Sequence, residues 1–490
     1  MFFSSVRCAA AVLTLCLAMG PVAQAQSVDT LQITFDRAVD IALDQNTDVK
    51  RAQSAVRQQE TVLTQRKFAF GPSFSASSAG QRSFGRSFSQ EEGAIVNETT
   101  DFFTVNARGS INLFNGWGDV AALNQAQENA AASTLSLERT RKNVVFRVMN
   151  QYLALVQDRE VLAVQREELA ARLQQLEQIR AFVESGARPP SALYEQQAAV
   201  AEQRTSVLEA ERAVSLDKTQ LIQTLQLDPM KNYTFQAPAL NEPVTAAATF
   251  RYENLLKEAY RRRNDLQAQR AEANATAYGI DVAQSALYPS LDLSVDYGSN
   301  WASTALLPVP GTGRPPTQVQ VQTAGGGTVP YFVPGTGSNP TLVQPDFFDQ
   351  LDNRRGGSIT LSLSIPLFNR YQTRASIEQA RVQALNAQYA VQDRRQQIAA
   401  EVRQAILDYR NAQQRLAAAK ERLQAARLAR EAAQERFRLG AASIVELTNA
   451  NRNFVQAASE EVRAQYTLVF QQQLIDYYIG TLNPETPLFQ

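Results

Sequence analysis

Ile111-Asn112-Leu113-Phe114-Asn115 and Ile365-Pro366-Leu367-Phe368-Asn369 are two versions of one signature, each closing a run of alternating residues and leading straight into a long helical repeat. The order around each is the same: helix, strand, strand, very long helix, turn, helix. A duplication of this size dictates the architecture. Pro289 follows Pro72 by 217 positions, whereas Gly440 follows Gly186 by 254, so the second copy carries about 37 extra residues between its strands.

Period two marks the strands. Val105, Ala107, Gly109, Ile111 and Leu113 point one way and Thr104, Asn106, Arg108, Ser110 and Asn112 the other. In the second copy Ile359, Leu361, Leu363, Ile365 and Leu367 oppose Thr360, Ser362 and Ser364. Pro289 to Tyr297 and, more weakly, Pro72 to Ser78 supply the partner strands. A half-buried sheet on a soluble core would alternate in the same way. With no separate apolar domain to cover them, strands of about ten residues with polar inner faces suit a water-filled membrane barrel. Asn106, Arg108, Asn112, Thr360, Ser362 and Ser364 are then the lumen-facing residues. Four strands do not close such a barrel, because small closed barrels need about eight, so several chains contribute.

The helices are too long for a globule. From about Trp117 to Glu184, and again from Tyr371 to Leu439, there is no proline and almost no glycine. At 1.5 Å per residue each stretch extends on the order of 100 Å. Val148, Leu155, Leu162, Leu169, Leu176 and Val183 recur every seven residues, as do Leu193, Val200, Val207, Val214 and Leu221 after the turn. Val402, Tyr409, Leu416, Leu423 and Phe437 repeat the pattern beside an alanine line through Ala405, Ala412, Ala419, Ala426 and Ala433. These are coiled-coil seams, and the small alanine layer lets helices approach closely. The fold class expected is mainly α with a transmembrane β-barrel portion.

Composition removes most other classes. Histidine is absent from the 490 residues, which excludes His-based acid-base chemistry and His metal sites. Acidic and basic side chains number 48 each, so nothing favours nucleic acid as a partner. Met1 to Ala25, with Arg7, an apolar run from Ala9 to Met19 and Ala23-Gln24-Ala25, reads as a secretory signal peptide. It contains both cysteines, Cys8 and Cys16, so the mature chain has neither disulfide nor lipid anchor. Beyond it no apolar run approaches the roughly 20 residues of a membrane helix, so a membrane-spanning portion has to be a barrel. No cofactor or metal is expected; soft ligands reduce to Met149 and Met230.

The duplicated strands ending in Leu-Phe-Asn, the heptad hairpins and the signal peptide together resemble the TolC family of outer membrane efflux proteins. The repeat opens with an amphipathic helix, Phe35 through Val49 and again Tyr252 through Leu266, as in that family. The resemblance implies a homotrimer with one twelve-stranded barrel in the outer membrane of a Gram-negative bacterium and a periplasmic helical tube. It further implies docking to a periplasmic adaptor protein and, through it, to an inner membrane transporter of the RND or ABC type. The expected organisation is a signal peptide at 1–25, repeats at 26–226 and 249–482, a linker at 227–248 and a tail at 483–490.

Both long helices break at glycine, in Ser185-Gly186-Ala187 and Leu439-Gly440-Ala441, as a helix C-cap would. By position in the family, Gly186, Ala187, Gly440 and Ala441 also form the adaptor-docking surface. Just beyond, Ser443-Ile444-Val445-Glu446-Leu447-Thr448-Asn449 resembles the segment that narrows the periplasmic entrance, with Glu446 and Asn449 at its two usually acidic positions. A carboxylate near a helix N-terminus is favourable without any gate role. By the resemblance, Phe437, Ala442 and Ala192 stand where one member of the family has an aromatic hydroxyl, an arginine and an acid that lock its closed state, so closure here is expected to rely on coiled-coil packing and a Glu446 ring. Arg188 and Tyr194 are the candidate substitutes for the missing contacts. The stretch Pro308 to Pro345, within a surface loop at 301–356, is rich in Pro, Gly and Thr and reads as irregular.

The function expected is an outer membrane exit duct for small-molecule efflux; a duct for type I protein secretion is the alternative. A periplasmic adaptor would have one hairpin flanked by β-rich domains rather than two flanked by strand pairs. An enzyme would need a nucleophile with a base, which this chain does not offer.

Overall fold

The computed structural model describes residues 31–89, 94–97, 99–237, 251–309, 316–323, 325–333, 335 and 341–482. The signal peptide at 1–25, residues 238–248 of the linker and the tail at 483–490 lie outside the described residues. The first repeat runs β1 (Leu31–Ile33), α1 (Phe35–Gln45), α2 (Thr47–Phe68), β2 (Ser73–Ser83), β3 (Arg86–Ser89), β4 (Ala94–Asn97), β5 (Thr100–Asn115), α3 (Gly118–Glu184) and α4 (Pro190–Thr224), and the linker carries β6 (Tyr233–Phe235). The second runs α5 (Tyr252–Arg262), α6 (Asn264–Ser285), β7 (Ser290–Ala302), β8 (Leu307–Val309), β9 (Thr317–Gln322), β10 (Thr328–Val333), β11 (Thr341–Val343), α7 (Phe347–Asn353), β12 (Gly356–Ser364), α8 (Gln372–Arg438) and α9 (Ile444–Ile479).

The four main strands form one antiparallel sheet in the order β12-β7-β5-β2. Its register sorts the side chains. Ser75, Arg108 and Asp296 lie across from one another on one face, as do Thr360 and Ser294, while Ile111, Leu293 and Leu361 share the other. The polar face is cross-linked: Asn112 Nδ2 donates to Asp292 Oδ1 at 2.7 Å, and Arg108 lies 3.6 Å from Asp296. The predicted alternation fails at both signature ends. A bulge between Asn112 and Phe114 leaves Leu113 as the extra residue and sets Phe114 opposite Leu291. In the second repeat β12 stops at Ser364, so Ile365 and Leu367 are not in the strand. Pro366 has no N–H to give, and β7 starts at the residue paired with Ser364.

The signature asparagine turns strand into helix. Asn115 Oδ1 accepts from the Asp119 N–H at 3.2 Å, and Asn369 Nδ2 donates to Thr373 Oγ1. Both turns use two successive left-handed residues, Gly116-Trp117 and Arg370-Tyr371. Only the first has a glycine, and there it is required, because a Cβ at Gly116 would lie 2.6 Å from the Ser285 carbonyl oxygen.

The helix predicted over Phe35–Val49 is two helices. Asn46 adopts an extended conformation between α1 and α2, accepts from the Asp48 N–H at 2.9 Å, and donates to the Thr224 carbonyl oxygen at 2.9 Å. Asparagine competes with its own backbone in this way, which breaks a helix and starts the next. The residue 217 positions later, Arg263, makes the same break between α5 and α6.

Helices α3 and α8 are each 67 residues, about 100 Å, and fold back through α4 and α9. Where α1 crosses α3, the core gathers Val144, Val148, Met149 and Tyr152 under the parallel pair β1-β6. Tyr152 meets Phe35 and Phe235 edge to face and donates to the Ile33 carbonyl oxygen at 3.1 Å. Val402, Tyr409, Leu416 and Phe437 are buried as their spacing predicts, together with Ala405, Ala412, Ala419 and Ala433. On α3 the seam departs below Leu162. Leu169, Leu176 and Val183 are half-buried, and Glu168, Arg172 and Ile179 take the interior. A straight helix drifts by about 20° per heptad, and here it turns a polar pair inward. Arg172 pairs with Glu168 at 2.8 Å and donates to the Ala199 carbonyl oxygen at 2.9 Å; Gln196 donates to the Arg172 carbonyl oxygen at 3.0 Å.

Burial, then the charge of Asp158 on α3, then a hydrogen bond between the two carboxyls push the Asp217 carboxyl of α4 up to about 6. A raised carboxyl favours the fold fully below its unfolded value near 3.9 and loses that contribution as pH rises through about 6. Asp217→Asn is therefore expected to stabilise the hairpin at pH 7.5 by on the order of 1 kcal/mol after solvent screening, and to do nothing at pH 4. Apparent melting midpoints of the purified protein at the two pH values check it.

The stretch Pro308–Pro345, predicted irregular, contains two ladders: β8 with β11, and β9 with β10. Thr317-Gln318-Val319-Gln320-Val321-Gln322 alternates perfectly, a signal hidden by the proline and glycine around it. The connection from β7 to β12 spans 303–355 and that from β2 to β5 spans 84–99, which accounts for the longer second copy.

Candidate functional site

The two hairpin tips meet. Gly186 and Gly440 have φ of +76° and +73°, and each ends its helix with a tightened turn: Ala187 N–H to the Phe182 carbonyl oxygen at 2.8 Å, Ala441 N–H to that of Arg436 at 2.7 Å. A Cβ at either glycine would touch nothing within 4 Å, so the glycines serve the backbone turn. Ala187 and Ala441 are exposed beside Phe182, Leu439 and Val445.

Behind the tips, Ile179 and Ala192 of the first hairpin pack with Ala433, Phe437, Ile444 and Leu447 of the second, with Ala442 against them. Phe437, Ala442 and Ala192 are thus members of one apolar cluster. Arg188 crosses between the hairpins, donating to the Phe437 carbonyl oxygen at 2.9 Å with its guanidinium 3.9 Å above the Phe437 ring. It is a cation–π contact joined to a hydrogen bond. Tyr194 is exposed.

Ser443 caps α9, accepting from the Glu446 N–H at 3.2 Å, so Ser443 and Glu446 occupy the first and last positions of a capping sequence. The Glu446 carboxylate accepts from Arg436 Nη1 at 2.6 Å, and Arg436 also donates to the Ala441 carbonyl oxygen at 3.3 Å. Sequence reading missed Arg436. Its partner lies ten residues on, across a turn whose geometry only the fold supplies. Asn449 is exposed, with Arg452 Nη1 3.5 Å from its Oδ1; Arg452 pairs with Glu202 of the first hairpin at 3.3 Å. Glu446 and Asn449 line one groove of about 880 Å³ with Ala425, Ala426, Ala429 and Ala433.

Far above the tips, a charged hub joins the repeats. Arg263, fully buried, grips Asp265 with two bonds of 3.0 and 2.5 Å and also holds Glu401. Arg394 reaches the same Asp265 oxygen through Nε at 3.1 Å, and Arg139 lies 3.7 Å away while donating to the Tyr477 hydroxyl at 2.6 Å. Burial alone would raise the Asp265 carboxyl. Hydrogen bonds and charge from Arg263, then Arg139 and Arg394, hold it well below the ordinary carboxylate range.

Asn106, Arg108, Asn112, Thr360, Ser362 and Ser364 all fall on the polar face of the sheet. None of them is near the tips.

The chain matches the family model described as outer membrane efflux protein over residues 38–225 and 255–481, one stretch in each repeat. Comparison with curated protein sequences gave no match. Among solved structures, it is similar to the outer membrane protein VceC of Vibrio cholerae, at 16% identity and a TM-score of 0.71, over 91% of this chain and 96% of that one. The CmeC outer membrane channel of Campylobacter jejuni matches at 16% identity and a TM-score of 0.73, over 93% and 87%. The MtrE outer membrane channel of Neisseria gonorrhoeae, solved in an open state, matches at 15% identity and 0.66, over 91% and 88%. At these identities the structures establish the shared fold, and the family model, which covers most of the chain, establishes kinship. This protein belongs to the outer membrane efflux protein family.

Proposed function

We propose that three copies of this chain close one twelve-stranded barrel and that the assembly is the exit duct of a tripartite export system. It receives small molecules from an inner membrane transporter through a periplasmic adaptor seated on the hairpin tips. The open sheet carries this reading. Among the described residues both outer strands, β12 and β2, lack a second neighbour, and Ile359, Leu361 and Leu363 are more than half exposed. Such a sheet does not persist alone in water. Because neighbouring strands alternate in direction, β2 of one copy can pair antiparallel with β12 of the next. From Leu291 to Trp301 the tilted sheet rises about 25 Å, the height of a barrel's lipid-facing band.

A photoreactive residue placed at Ala441 in living cells tests the reading. Capture of an adaptor together with a proton-driven pump supports it, and capture with an ABC exporter changes the cargo to secreted protein. A soluble periplasmic monomer that captures nothing overturns it.

At the entrance, Glu446 sets the charge and Arg436 offsets it. Glu446→Gln is expected to shift single-channel selectivity toward anions by about a factor of a few, and Arg436→Gln to shift it toward cations. Unchanged reversal potentials in both variants would remove Glu446 from the gate.

A further inference from the structure

Among the described residues, nothing covers one face of the β9-β10 hairpin. Its register places Val319 opposite Tyr331 and Val321 opposite Val329, with Val333 beside Thr317, all on one side; Gln318, Gln320 and Gln322 lie on the other with Pro330 and Phe332, so the first side is apolar except for Thr317 and the second is mixed. Those five apolar side chains are 44% to 60% exposed. A two-stranded hairpin is marginal in water unless a third element covers its apolar face. The covering element is neither a charged partner nor a lipid phosphate, because no charged residue occurs between Arg314 and Asp346. Strand addition is also disfavoured, since Pro330 removes a donor from β10. The face itself is what has to be covered.

The place of the hairpin selects its occupant. It springs from the end of the sheet opposite the helices, between β7 and the outermost strand β12, whose free edge calls for a second copy. The base of the insertion is pinned there. Phe347 packs against Phe103 and Trp301 with centroids 5.5 Å away in each case, and buried Gln350 accepts from the Ala302 N–H at 3.1 Å and donates to the Pro345 carbonyl oxygen at 3.2 Å. Closing the barrel therefore brings identical hairpins to one rim at high effective concentration. Resting on the trimer argued above, we propose that the apolar face of β9-β10 packs against the same face of the hairpin in neighbouring copies, forming an uncharged collar at the cell-surface end of the channel.

The only cysteines, Cys8 and Cys16, precede Ala25, so single cysteines can be introduced without background once the leader is removed. Val321→Cys and Tyr331→Cys sit on the apolar face and Gln320→Cys on the opposite one. After treatment of whole cells with a short bismaleimide, most of the first two variants should run as covalent dimers and Gln320→Cys should stay largely monomeric in denaturing gels. Native mass measurement of the same purified samples reports the trimer separately. An intact trimer with no linkage at 321 and 331, or with equal linkage at 320, overturns the collar and leaves the duct standing. Absence of a trimer removes both.

Discussion

Arg263→Ala should destabilise the periplasmic portion by about 3–5 kcal/mol, the cost of leaving buried charge without its partner. The side chain is fully buried and holds two carboxylates, Asp265 and Glu401, that other elements keep in place. Removing the guanidinium leaves Arg394 and Arg139 on Asp265 but takes away its two-bonded partner. Because the Asp265 carboxyl is held low, its stabilisation is complete above about pH 4 and is lost only as pH falls through the folded value. The wild-type hub thus persists across the neutral and mildly acidic range. The expected result is a sharply lower apparent melting midpoint at pH 7 and less protein assembled in the outer membrane. A variant melting within a degree or two of wild type would show that the hub is replaceable.

Ala441→Asp should abolish efflux while leaving the fold intact. Ala441 is exposed at a tip, so the free protein has no reason to lose stability. In a docked complex the carboxylate would be buried without a partner, at about 3 kcal/mol, weakening adaptor binding on the order of 100-fold. Ala187→Asp should act in the same direction from the first hairpin. Drug accumulation assays, with outer membrane abundance measured alongside, decide the matter. Normal export from cells carrying both substitutions would move the docking surface away from the tips.

Much of the architecture is legible in the sequence. The duplicated signature, the alternation of Val105 to Ile111 and of Ile359 to Leu363, and the heptads through Val402 and Tyr409 are local periodicities. A local period survives in one dimension because each side chain's direction follows from its neighbours along the chain. The tip glycines were legible for the same reason, since a positive φ is a property of a single residue. The short ladder at Thr317–Gln322 was masked by averaging over its proline- and glycine-rich surroundings.

Tertiary structure alone decided the pairings between distant elements. The bulge at Leu113 and the end of β12 at Ser364 depend on where β7 begins. The partners of the inward-turned Glu168 and Arg172, the Ala199 carbonyl oxygen and Gln196, come from α4. Arg436 finds Glu446, Arg188 finds Phe437, and Arg139 of α3, Arg394 of α8 and Arg263 at the break between α5 and α6 converge on Asp265. Such contacts have no period to read, because the energy of a charge or an apolar patch is set by whichever groups the fold brings beside it. The sequence by itself determined which helices and strands form and which faces they bury; the packing determined which charges are neutralised and which faces remain open for another chain.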